Sequence, residues 1–211
     1  ILEKGTFCLR NYGYDSYNNC IQWNVKIEPG ATLQEARIGS EYHNGYTVTN
    51  AGTISGGTFY GKVICEAGAV ISGGTFKGVA RVDAAGGEVT IEDGTFEEVS
   101  YTSGMTVKAA GTLTINGGTF KGKRICSVDI DNCEKIVING GSFESSLTDL
   151  KRTTETTING GLFNDKLYVA GDKCTVNGGL FTAENDPLPE GATVKGGYFT
   201  AKSTGLVAID A

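Results

Sequence analysis

INGGTFKG, residues 115–122, returns downstream as INGGSFES (138–145), INGGLFND (158–165), VNGGLFTA (176–183) and VKGGYFTA (194–201). Upstream it is ISGGTFYG (54–61), ISGGTFKG (71–78) and IEDGTFEE (91–98), and LEKGTF (2–7) reads as a worn copy. The consensus is [ILV]-x-G-G-x-F. Every phenylalanine closes such a motif: Phe7, Phe59, Phe76, Phe96, Phe120, Phe143, Phe163, Phe181 and Phe199. The second glycine is never replaced, from Gly5 through Gly57, Gly74, Gly94, Gly118, Gly141, Gly161 and Gly179 to Gly197. From Phe59 on, the spacing runs from 17 residues (Phe59 to Phe76) to 24 (Phe96 to Phe120). That is too short for a propeller blade or a helical repeat, which need about 33 residues or more.

The residues before the motif alternate. Leu113 and Ile115 would face one way, and Thr112, Thr114 and Asn116 the other, which is a half-buried strand. Ile115 and Phe120 are five apart, so both point inward only if the chain bends between them. Asn-Gly-Gly suits that bend, because both residue types tolerate positive φ. A second strand then starts near the Phe. A third follows, with Val63 and Cys65, Val82, Val107, Cys126 with Val128 and Ile130, or Leu167 with Val169 facing in. The expected fold is all-β: a single-stranded right-handed parallel β-helix, a solenoid of about ten coils at a strand spacing of about 4.8 Å. One domain spans 1–211, with irregular coils and a cap over 1–50 and regular repeats over 51–211.

Composition agrees. The 32 glycines among 211 residues follow no Gly-X-Y period, and 39% hydrophobic with 20% charged residues is globular. A net charge of −6 speaks against nucleic acid, which needs a basic face. No apolar run reaches the roughly 18–20 residues of a membrane span, so no membrane insertion is expected. The chain opens on Ile1 with no visible leader and is read as a mature protein or a piece of a longer one.

Stacking turns each motif position into a column along the rod. Asn116, Asn139, Asn159 and Asn177 would align at the bend with their amides in hydrogen-bonding reach. INGG and ISGG bends followed by a stacked Phe resemble the pectin-lyase-like right-handed β-helices, which carry asparagine ladders at one turn. The GGTF form is similar to repeat regions of secreted and cell-surface bacterial proteins. The resemblance covers about residues 50–201 and implies the fold. That superfamily includes lyases, hydrolases, adhesins and phage fibres. It also implies an extracellular or cell-surface location.

Charges alternate at the position after the Phe (Lys77, Glu97, Lys121, Glu144). They do nearly the same three residues before the motif, at Glu88, Thr112, Lys135, Glu155 and Lys173. Solvated cross-strand pairing explains both rows. The resemblance makes an acidic cluster worth seeking, but Asp93, Glu97, Glu98, Asp129 and Asp131 are interleaved with lysines. His43 is a lone histidine in a Tyr-rich stretch. No catalytic residue, metal site or cofactor is therefore assigned. Thr53, Thr90, Thr114, Thr157, Thr175 and Thr193, with Val70 and Val137 in the gaps, share one outward position, as an ice-binding face would. The flanking charges argue against that use.

Cys65, Cys126 and Cys174 read as small core residues. Cys8 and Cys20 flank a polar loop and are the disulfide candidates, which an extracellular setting permits. Tyr12, Tyr14, Tyr17, Trp23, Tyr42 and Tyr46 cluster in the irregular part. They read as a cap over the solenoid end, or as a ligand-binding surface for a polysaccharide or a cell-surface protein. The function expected is a non-catalytic adhesive, carbohydrate-binding or structural module. A polysaccharide lyase or glycoside hydrolase is the alternative, and an ice-binding solenoid the third reading.

Overall fold

Each motif contributes two of three short strands that pair, parallel and in register, with their counterparts in the next coil. The computed structural model describes residues 1–9, 24–40, 45–77, 80–97, 105–121, 124–126, 133–144, 147–150, 155–164, 167–169, 173–182, 188, 190–200 and 208–209. The first row of strands ends on the motif's Ile or Val, as in Thr53–Ile54, Val70–Ile71, Cys133–Ile138 and Glu155–Ile158. The second row carries the Phe, as in Thr58–Phe59, Thr119–Phe120 and Ser142–Phe143. The third includes Lys62–Cys65, Arg124–Cys126 and Leu147–Leu150. The long strands Ala80–Ile91 and Met105–Ile115 run from the third row into the next first row. The architecture is an all-β parallel solenoid. Described strands from Thr53 to Val169 close about six full coils, where the motifs suggest about ten. The remaining motifs have only part of their coil among the described residues.

The core is columnar. Ile54, Ile71, Ile91, Ile115, Ile138, Ile158 and Val176 stack in one buried column. Phe59, Phe76, Phe96, Phe120, Phe143, Phe163 and Phe181 stack in another, and Phe199 closes it half-buried. Ring centroids are 4.6 to 5.0 Å apart and ring planes are within 2° to 10° of parallel. The separation matches the strand spacing of about 4.7–4.9 Å, so the backbone ladder sets it. Carbon atoms attract best at about 3.5–4.0 Å, so rings at this centroid distance must lie slipped rather than face to face.

The two glycines of the Gly-Gly bend serve different ends. The second sits at positive φ in all nine motifs, from 100° at Gly118 to 139° at Gly94. The first is where successive coils touch. A Cβ on Gly140 would lie 2.4 Å from the Asn116 carbonyl oxygen. In the variant IEDG bend, Asp93 takes the first place, and its Oδ1 accepts a 2.7 Å hydrogen bond from the Gly94 N–H.

Two expectations are corrected. LEKGTF is not a displaced copy of the motif in space. Phe7 pairs with Leu33, which pairs with Ile54, so Phe7 lies in the first row and not in the Phe column. Ile38, paired with Phe59, stands above that column instead. Cys126 was expected in line with Cys65, but it pairs with Lys108, which pairs with Arg81 and through it Ile64. Ile125 takes the place in line with Val63, because the register slips between Met105 and Val107. Val128 and Ile130 lie outside the described residues. Cys65 and Cys174 are buried, as expected.

Candidate functional site

With the apolar residues turned inward, the chemistry on offer lies in outward columns. On the first-row face the threonine column is in register from end to end. It runs Thr6, Thr32, Thr53, Val70, Thr90, Thr114, Val137, Thr157, Thr175, Thr193. The column beside it carries charge. Glu88 Oε1 accepts a 2.6 Å hydrogen bond from Thr114 Oγ1, and Lys135 Nζ lies 2.6 Å from Glu155 Oε1. The first contact ties a hydroxyl of the threonine column to a carboxylate, and the second sets an ion pair beside that column.

At the corner, the asparagine ladder forms as the motif implies and stays exposed. Asn139 Nδ2 donates to Asn116 Oδ1, Asn159 Nδ2 to Asn139 Oδ1 and Asn177 Nδ2 to Asn159 Oδ1, each at 2.7 Å. Asn116 Nδ2 donates to Glu92 Oε2 at 2.9 Å. All donors point toward the N-terminal coils. The donor end therefore meets a carboxylate, and the next position past the acceptor end, Lys195, carries an ammonium.

The second-row face has two columns, one on either side of the buried Phe. The column before the Phe reads Arg37, Thr58, Thr75, Thr95, Thr119, Ser142, Leu162, Leu180, Tyr198. The column after it reads Tyr60, Lys77, Glu97, Lys121, Glu144, Asn164, Thr182, Thr200, held by backbone hydrogen bonds from each of these N–H groups to the preceding coil. Near its N-terminal end this face is charged. The Tyr60 ring has Arg37 Cζ and Lys77 Nζ each 5.6 Å from its centroid, and Lys77 Nζ is 3.6 Å from Glu97 Oε2. Past Ser142 and Glu144 the character changes. Leu162, Leu180 and Tyr198 make an apolar stripe beside Asn164, Thr182 and Thr200, and Thr182 Oγ1 donates to Asn164 Oδ1 at 2.8 Å. Leu180 is 37% exposed and Tyr198 68%.

Of the residues expected to bind ligand, Tyr46 is half-buried and packs against the core. Tyr12, Tyr14, Tyr17, Trp23 and Tyr42 lie outside the described residues, as do Cys20, His43, Glu98, Asp129, Asp131 and the Cys8 side chain. The C-terminal stripe is not legible in the invariant positions of the motif. Its signal was the variable one. The residue between Gly-Gly and Phe drifts from Thr to Ser, Leu, Leu and Tyr.

The buried thiols have no place in this surface. Burial pushes Cys65 and Cys174 up to about 12 from the ordinary 9.0, holding both as neutral packing groups. Among the described residues, no three His, Cys, Asp or Glu side chains are grouped to hold a metal ion, and no helix is long and apolar enough to cross a membrane. Compared with known proteins, the chain matches no family model, no curated protein and no solved structure.

Proposed function

We propose that this chain is a non-catalytic, extracellular or cell-surface binding module. Its rod-shaped exterior engages an extended polymer, a polysaccharide before a cell-surface protein. The observation that carries this reading is the in-register outward columns. The same side-chain type recurs at strand spacing along the rod, and hydrogen bonds between rungs hold the columns in place. An array fixed before binding loses little side-chain entropy when a repeating ligand settles on it. The Gly-Gly bends, the Phe stack and the asparagine ladder also support the finer likeness to pectin-lyase-like β-helices. Cys8 and Cys20, as a disulfide pair, suit the same location.

Electrophoresis through gels containing soluble polysaccharides tests the reading. The expected result is retarded migration in at least one gel, with no release of new reducing ends or unsaturated uronates. Product release would favour the lyase or hydrolase alternative instead.

A further inference from the structure

We infer that the polysaccharide site is the stripe Leu162, Leu180 and Tyr198 with its flanking polar columns, and that its ligand is a neutral, hydroxyl-rich glycan chain lying along the rod. This rests on the binding-module reading above. Three features of the surface carry it.

The first is exposure. Leu180 and Tyr198 are large and apolar, stand in water and occupy adjacent rungs of one column. Upstream, the same column presents small hydroxyls, from Thr58 to Ser142. The change costs solubility and adds nothing to the core, because these side chains point away from it. The second is the company the stripe keeps. Asn164, Thr182 and Thr200 run along one side. Asn159, Asn177 and Lys195 stand across the Gly-Gly bend on the other. One of these six carries charge, whereas the upstream rungs alternate Lys77, Glu97, Lys121 and Glu144. Amides and hydroxyls both donate and accept, as sugar hydroxyls require. The third is width. The stripe is one side chain wide and three rungs long. A stable protein interface takes about 800 Å² from each partner, more than such a strip supplies. A pyranose chain is narrow, with C–H groups on the faces of its rings and hydroxyls at their edges. Its ring faces fit Leu and Tyr, and its edges fit the flanking amides and hydroxyls. Tyr198 adds a phenol at the end of a flat apolar ring.

The test uses the whole chain with Leu180→Thr, Tyr198→Thr and the double variant, beside a Tyr14→Ala/Tyr17→Ala/Tyr42→Ala variant of the rival N-terminal surface. The probes are soluble glucomannan, β-glucan and amylose as neutral polymers, and polygalacturonate and hyaluronate as acidic ones. All substituted second-row side chains point outward, so the thermal midpoint should stay within a few degrees of the parent and report folding separately. The expected result is retardation by at least one neutral polymer. The double variant should weaken it about tenfold or more, and more than the N-terminal triple variant does. If a neutral polymer binds the parent and the double variant alike, the stripe is not the site and the inference falls, while the module reading stands. Loss in the Tyr14, Tyr17 and Tyr42 variant alone, at an unchanged thermal midpoint, moves the site to the N-terminal aromatics, with the same consequence. Binding to acidic polymers only overturns the neutral-ligand assignment. If no polysaccharide retards the parent, both the reading and the inference fail.

Discussion

The bend glycines show how narrowly single positions are constrained. Gly45 is in ordinary backbone with nothing within 4 Å of an added Cβ, so Gly45→Ala should leave stability nearly unchanged. Gly30 has open space but φ of 83°, so Gly30→Ala should cost about 1–2 kcal/mol from the backbone alone. Gly140→Ala would drive a Cβ into the backbone carbonyl oxygen of Asn116 in the preceding coil. It should cost about 3 kcal/mol or more, and urea denaturation of the three variants should give that order. Thr156 is the converse case. It is fully buried in the inward column between Ile136 and Cys174, and its Oγ1 finds no hydrogen-bond partner among the described residues. Thr156→Val should raise stability by about 1 kcal/mol in the same assay, since an unsatisfied buried hydroxyl costs about 1–3 kcal/mol. The bend glycines were legible from repetition. Thr156 was not, because its place in the strand looks like that of any alternating threonine until the inward parity is known.

At the level of the element, the asparagine ladder has a direction, and that direction makes a prediction. Asn116→Asp removes the N–H that reaches Glu92 and sets two carboxylates side by side. The substitution should destabilise the fold at neutral pH by about 1 kcal/mol or more. The penalty should shrink once pH falls below the usual carboxylate range, because a protonated carboxyl again donates. Thermal melts of parent and variant across pH 3 to 7 check this; a pH-independent penalty would mean that Glu92 does not close the ladder. The sequence showed the ladder, since four Asn residues precede Gly-Gly. It did not show the carboxylate at its donor end, because Glu92 stands in the one motif after LEKGTF whose bend departs from Gly-Gly. The third row was the least legible element. Its strands lack a fixed motif, and the slip at Met105/Val107 displaced Cys126 by one residue.

Across the whole molecule, the described strands pair only between adjacent coils, so stability accumulates by nearest-neighbour terms. A gap in the middle of the Phe stack deprives two rings of a partner, and a gap at its end deprives one. Phe120→Ala should therefore cost about 3–5 kcal/mol, and Phe199→Ala, at a half-buried terminal rung, distinctly less. The rod was readable from periodicity because insertions fall at the bends and leave the motif intact. The placement of LEKGTF was not readable, since a motif match says nothing about which row a short strand joins. The central claim is that one motif makes one coil, with its phenylalanine stacked on those of the coils before and after. Selective labelling of the phenylalanine rings, followed by ring-to-ring nuclear Overhauser measurement, tests it directly. The account predicts an unbroken chain of contacts from Phe59 through Phe76, Phe96, Phe120, Phe143, Phe163 and Phe181 to Phe199, with no skipped rung and with Phe7 outside it. Contacts that skip a motif, a chain that takes in Phe7, or rings that show no neighbour at all would contradict it.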